Sequence, residues 1–135
     1  MDAFWDNTYF ETVAAYSVVI LCTVVFLACF ELLTKYKNWE EIKKGNLAVA
    51  MATGGKILGI MNVFHYSIQS GQSLLIIILQ GLFGFVLLMI GYFIYEFLTP
   101  SFHIDEEIQK DNRAVGFISM VISIGLSFVI GASLV

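Results

Sequence analysis

Four apolar runs follow one another along this chain with only short polar gaps, and each is close to the roughly 20 residues that a helix needs to cross a bilayer core. They lie at about 12–33, 46–68, 73–97 and 113–134. With 59% hydrophobic and 13% charged residues among 135, the chain departs from the make-up of a soluble domain. A ten-residue head, two connecting loops and one short turn are all that remain. None can build a soluble catalytic domain, so any function sits in the helices or on their loops, and most enzyme classes are excluded by volume.

The second constraint is internal repetition. From Glu31 the chain reads E-L-L-T, then W-E-E-I-K-K-G-N-L-A-V-A; from Glu96 it reads E-F-L-T, then I-D-E-E-I-Q-K-D-N-R-A-V-G. Glu31 and Thr34 map to Glu96 and Thr99. After a one-residue insertion Glu40, Glu41, Ile42, Lys44, Asn46, Ala48, Val49, Thr53 and Gly59 map to Glu106, Glu107, Ile108, Lys110, Asn112, Ala114, Val115, Ser119 and Gly125. Each unit is span, charged loop, span, and a single hairpin cannot bury its inner face without a neighbour. The predicted fold is therefore all-α and polytopic: four transmembrane helices as two parallel-repeat hairpins, residues 1–68 and 69–135. Two spans return the chain to its starting side, so the copies run parallel about an axis near the membrane normal.

Charge placement predicts orientation. Six of the seven basic residues (Lys35, Lys37, Lys43, Lys44, Lys110 and Arg113, with Lys56 the exception) lie in or beside the loops joining spans one to two and three to four. The positive-inside rule puts both loops in the cytoplasm and both termini outside. The acidic head (Asp2, Asp6, Glu11) is no secretory signal, so span one reads as an uncleaved anchor. Phe4, Trp5, Tyr9 and Phe10 are expected to form an outer aromatic belt, and Tyr36, Trp39, Tyr92 and Tyr95 an inner one. Asn38 is expected to cap a short loop helix, matched by a turn through E-E-I-Q-K, and both are expected to lie along the headgroups. Cys22 and Cys29, seven apart on one helix, cannot bridge and read as apolar filler.

Small and polar residues recur at helical spacing. Asn112, Gly116, Ser119, Ser123 and Ser127 share one face of span four, and the matching face of span two carries Asn46, Ala50 and Thr53. The structural account is a tight seam between spans two and four; the functional account is a polar path down the bundle. Gly54, Gly55 and Gly59 in span two, with Gly81, Gly84 and Gly91 in span three, point away from the Asn46 face and suggest a second interface, hence a homo-oligomer.

Lys56 lies ten residues past Asn46, about 15 Å by the helical rise and near mid-bilayer. A charge there costs about 2.5–3.5 kcal/mol, so the side chain should face protein or snorkel inward, toward Glu31 and Glu96. Its counterpart in the second copy is Ile122. Glu31 and Glu96 are either interfacial anchors or a pair of carboxylates at a cation entrance. Asn46 and Asn112 read as helix caps. His65, beside Tyr66, reads as an interfacial residue. No nucleophile–base pair, phosphate-binding loop or zinc spacing occurs, and the few mixed charges give no support to nucleic-acid binding. No cofactor, no metal and no enzymatic activity are expected.

The doubled pattern E-[LF]-L-T…E-E-I…K-x-N-x-A-V-[AG]…[TS]…G resembles the bacterial membrane family catalogued as domain of unknown function 350, also called YjfL-like, over nearly the whole chain. The resemblance implies a four-span inner-membrane protein with two copies of the domain, a companion of membrane-stress and flotillin-type proteins, and carries over no ligand or reaction. Two functions follow as expectations: an oligomerising or partner-docking component of membrane homeostasis, or a small cation channel or transporter using Glu31, Glu96, Lys56 and the serine face.

Overall fold

The computed structural model describes residues 7–134, and among them every regular element is a helix. In chain order these are α1 (Thr8–Leu33), α2 (Asn38–Lys43), α3 (Leu47–Gln69), α4 (Leu74–Phe97), α5 (Ile104–Gln109) and α6 (Arg113–Leu134). The four long ones are each apolar and long enough to cross a bilayer, in agreement with the four runs. The expected outer-belt residues Phe4 and Trp5, like the acidic Asp2 and Asp6, lie outside the described residues.

Helix ends follow from local chemistry. Asn7 Oδ1 accepts from the Tyr9 N–H at 2.8 Å, so α1 starts before its apolar run does. Asn46 caps α3 by accepting from the Val49 N–H at 3.0 Å. Pro100 follows α4 by three residues and has no N–H with which to continue it. The two charged connections share one geometry. In the first, the Gly45 N–H donates to Ile42 O and the Asn46 N–H to Glu41 O; in the second, Asp111 donates to Ile108 O and Asn112 to Glu107 O. That pair of bonds is a Schellman motif, whose hinge residue takes a left-handed backbone. Gly45 does so at φ +88° and Asp111 at φ +63°. Aspartate is among the few side chains that tolerate this region, and its carboxylate then accepts from the Ala48 N–H at 2.9 Å.

Helix α3 is the hub: 56% of its most apolar stretch is buried, against 22% of that of α1. It packs most extensively along α6, and small residues set the distance. A Cβ on Gly116 would lie 2.6 Å from Ala48 O, one on Gly55 would lie 2.7 Å from Met120 Cα, and one on Gly59 would lie 3.1 Å from Ser123 O. The two backbones therefore touch, as small residues permit in membrane helices. Lower down, the Asn62 amide donates to Ser127 Oγ at 3.0 Å.

The expected seam between spans two and four exists, but α3 enters it by a different face. Ala48, Gly55 and Gly59 meet α6; Thr53, two residues before Gly55 and so about 160° round the helix, is buried on another flank. The glycines do not form a free second interface either. Gly55 and Gly59 lie in the seam, Gly81 and Gly84 receive Phe64 and Val63 of α3, and Gly91 receives Leu126 of α6. Of the six, Gly54 alone faces open space. Internal packing absorbs the feature from which an oligomer was inferred.

The loop helices also depart from expectation. Ile104 and Ile108 are fully buried, with α5 packed on α3 and α6, and α2 on α3. They close one end of the bundle instead of lying along headgroups, because two isoleucines in one six-residue helix are worth more inside than at an interface. Asn38 begins α2 without capping it; the cap comes from Glu31, whose Oε1 accepts the Asn38 N–H at 2.8 Å.

Candidate functional site

Lys56 is nine residues into α3, about 14 Å along its axis, and only 4% of its surface is exposed. Helical side chains lean toward the N-terminus, so its stem runs up toward the end closed by the loop helices. There the ammonium meets three aromatic rings. Nζ lies 3.7 Å from the ring centre of Phe30, 5.3 Å from that of Tyr92 and 5.7 Å from that of Tyr36. Phe30 comes from α1, Tyr92 from α4 and Tyr36 from the segment after α1, so three elements build the cage. Phe30 and Tyr92 also brace each other edge-on, with ring centres 5.2 Å apart.

Such contacts are worth about 2 kcal/mol when desolvated, against the roughly 2.5–3.5 kcal/mol that a lysine at the centre of a spanning helix costs. The cage offsets most of that cost and leaves a remainder. Asp105 supplies the opposite charge. Held on α5 and 4% exposed, it lies within electrostatic reach of Lys56. Its Oδ2 accepts the Lys35 N–H at 3.2 Å, while Oδ1 has no partner among the described residues. Burial pushes the Asp105 carboxyl above the ordinary aspartate value; the Lys35 N–H and the charges of Lys56 and Lys35 pull it partly back. Burial, and then the Asp105 charge, raise the Tyr36 phenol. Lys56 also borders a small cavity of about 10 Å³, whose other walls are Leu27, Phe30, Ile60, Phe85, Leu88 and Ser123. Phe85, one of those walls, stacks on Phe26 with ring centres 4.5 Å apart.

This arrangement sits within a recognisable lineage. The family model described as Domain of Unknown Function (DUF350) matches residues 4–134. The chain belongs to the DUF350 family. It is 66% identical over 134 residues to the UPF0719 transmembrane protein YshE of Bacillus subtilis (strain 168), covering 99% of this chain and 100% of that one. No solved structure matches it. It is thus a multi-pass transmembrane protein of a bacterial family of unknown function.

Within this DUF350 chain the residues singled out by sequence are distributed unevenly. Lys56 reaches the level expected for it but not the partners expected. Phe30, one residue before Glu31, takes the position facing Lys56, and the next 100° of turn directs Glu31 to Asn38. Glu96 makes no hydrogen bond or ion pair among the described residues, so neither glutamate pairs with Lys56. Thr34 and Thr99 each donate back to the carbonyl of the glutamate three residues earlier, at 3.3 and 3.1 Å. Asn46 does more than cap: its amide donates to Ile108 O at 3.2 Å and Gln109 O at 2.9 Å, tying α3 to α5. Asn112 accepts from the Val115 N–H at 3.4 Å and donates to Glu107 Oε1 at 3.3 Å, staying within its own connection. Thr53 and Ser119 are buried with unpartnered hydroxyls, and Ser123 lines the cavity.

Tyr36 and Tyr92, expected in the inner aromatic belt, are instead walls of the cage, while Trp39 is exposed. Asp105 escaped notice in the sequence. A signal was available there: Lys56 faces Ile122 in the repeat and Asp105 faces Trp39. These two opposite charges, neither with a charged counterpart under that mapping, lie within electrostatic reach of each other.

Proposed function

We propose that this DUF350 protein is a non-enzymatic bundle of two tandem hairpins in the bacterial cytoplasmic membrane, and that it translocates protons or small cations through a centre at Lys56. The carrying observation is the caged ammonium: a buried charge in a membrane helix is expensive to keep and marks an ion path, relay or sensor by default. The shared Schellman-to-asparagine connections support the tandem arrangement, and the basic residues around them support cytoplasmic loops with both termini outside. Lys56 is buried between the loop helices that close one end of the bundle and the stacked Phe26–Phe85 pair, which corresponds to an occluded site. Glu31 contributes by fixing α2, and Glu96 stands free at the same level to attract cations.

The test is proton and alkali-cation flux in proteoliposomes reconstituted with the purified full chain. Flux above that of empty vesicles, lost in Lys56→Met and Asp105→Asn, supports translocation; absence of flux under either sign of membrane potential overturns it. A docking role is favoured by one specific observation: α1 is peripheral, with Tyr9, Val13, Tyr16, Leu21 and Val24 all exposed along its length. Robust co-purification of one membrane protein, abolished by substitutions on that face, would support docking, and cysteines at Lys43, Lys110 and Gln72 would report the orientation.

A further inference from the structure

The cage holds more unpartnered polar atoms than its own residues explain. Tyr36 Oη, Lys56 Nζ, Tyr92 Oη and Asp105 Oδ1 are all buried without a hydrogen-bond partner. Buried polar groups are nearly always satisfied, by protein or by water, and leaving even one dry forfeits the whole of its hydration. Four such atoms, the lysine's own and three around it, call for a common solution.

Their chemistry is complementary. The ammonium offers three donors, each phenol one donor and an acceptor, and the carboxylate only acceptors. A molecule that both donates and accepts, and is small, completes the set. The small cavity of about 10 Å³ that borders Lys56 is walled by Phe85 and Ser123 and not by Asp105 or either tyrosine, so the place of a water is marked by the unpartnered atoms themselves. An inorganic anion would meet the Asp105 carboxylate, and a metal cation would meet the ammonium. Water suits both.

We propose that Lys56, Asp105, Tyr36 and Tyr92 enclose a hydrated proton-exchange site in which internal water links the Lys56 ammonium to Asp105 Oδ1. This rests on the translocation reading and names its substrate as the proton. Each hop breaks one N–H or O–H bond and forms one O–H bond, so the ion pair and the neutral amine–acid pair differ only in where a proton resides. No redox partner is involved. Asp105 is the gate because it alone of the four lies on a loop helix, and its other oxygen is latched by the Lys35 N–H. Of the other titratable groups at that end, Lys35 reaches Glu106 at 3.5 Å, Glu31 is held by Asn38, Lys44 pairs with Glu41, Lys110 with Glu107 and Arg113 with Asp111, Lys37, Glu40, Lys43 and His103 are exposed, and Tyr95 and Glu96 lie on the last turns of α4. Helix α6 presents only the hydroxyls of Ser119 and Ser123, and α3 no second charge.

The experiment is NMR of the full chain in lipid nanodiscs, with labelled aspartate carboxyls and labelled lysine amines. Asp105 is assigned by its loss in Asp105→Asn, and Lys56 by its loss in Lys56→Met. The site predicts magnetisation transfer from water to the Lys56 amine, and an Asp105 carboxyl that titrates above the ordinary aspartate value. In Lys56→Met that titration moves further up, as the neighbouring positive charge is lost. No water signal at Lys56 in the wild type, which needs no variant to fold, overturns the proposal; so does an Asp105 titration indifferent to Lys56→Met or Lys56→Gln. A hydrated, coupled pair in a protein that passes no protons would leave the exchange site standing and sink translocation. Flux with an uncoupled pair would do the reverse.

Discussion

Replacing Lys56 by methionine isolates the ammonium from its stem. Methionine retains an unbranched side chain of similar reach, and volume-conserving swaps of this kind cost less than about 1.5 kcal/mol. The cage loses its cation–π contacts, about 2 kcal/mol. In exchange the burial cost of the charge, about 2.5–3.5 kcal/mol, disappears. The two nearly cancel, and Asp105, deprived of its positive neighbour, binds its proton more tightly. Lys56→Met should therefore lie within about 1 kcal/mol of the wild type, on the stabilising side before any misfit of the thioether is counted. Lys56→Ala removes the same charge but also empties the stem's space, and large-to-small changes of that size cost about 2–5 kcal/mol. Equilibrium unfolding in bicelles measures both. If methionine were as destabilising as alanine, by more than about 2 kcal/mol, the ammonium would be a net structural contributor and the cage no candidate for ion chemistry. A stable Lys56→Met protein is also the clean variant for flux.

Other substitutions probe the frame around the site. Gly116→Val places a side chain where Ala48 backbone atoms already lie 2.6–2.7 Å from a Cβ; backbone cannot rotate away, so a loss of at least the 1–3 kcal/mol typical of overpacking, roughly, is expected, read as a lowered unfolding midpoint. Asn46→Ala should cost about 2–4 kcal/mol, a cap plus two hydrogen bonds to α5, whereas Asn112→Ala should cost about 1 kcal/mol; parallel unfolding curves give the difference, and equal losses would contradict it. For Asp105 the folded carboxyl titrates above its ordinary value of 3.8, so the folded state binds the extra proton. Its contribution to stability is complete below that value and is lost as pH rises through the raised one. The stability of the wild type relative to Asp105→Asn should therefore decline as pH increases across that window, and a flat difference would refute the burial of Asp105.

The chain alone determined its solvent and its elements. Four apolar runs of spanning length became α1, α3, α4 and α6 within a few residues of their expected limits, because lipid leaves the backbone only its own hydrogen bonds. Asn46 and Asn112 announced helix starts because caps act within a turn of themselves. Lys56 announced its own importance because the bilayer makes a lone charge conspicuous. Tertiary structure decided what these pieces meet. Which face of α3 enters the seam depends on Ala48 and Gly116 fitting each other, and a repeat pattern written in one strand of letters carries no such information. The same holds for the cage: Phe30, Tyr36, Tyr92 and Asp105 stand up to 75 positions apart, and aromatic residues near a membrane interface look alike whether they face lipid or a neighbouring cation. Proximity between distant residues is a property of packing, and packing follows from the shapes of all the helices together.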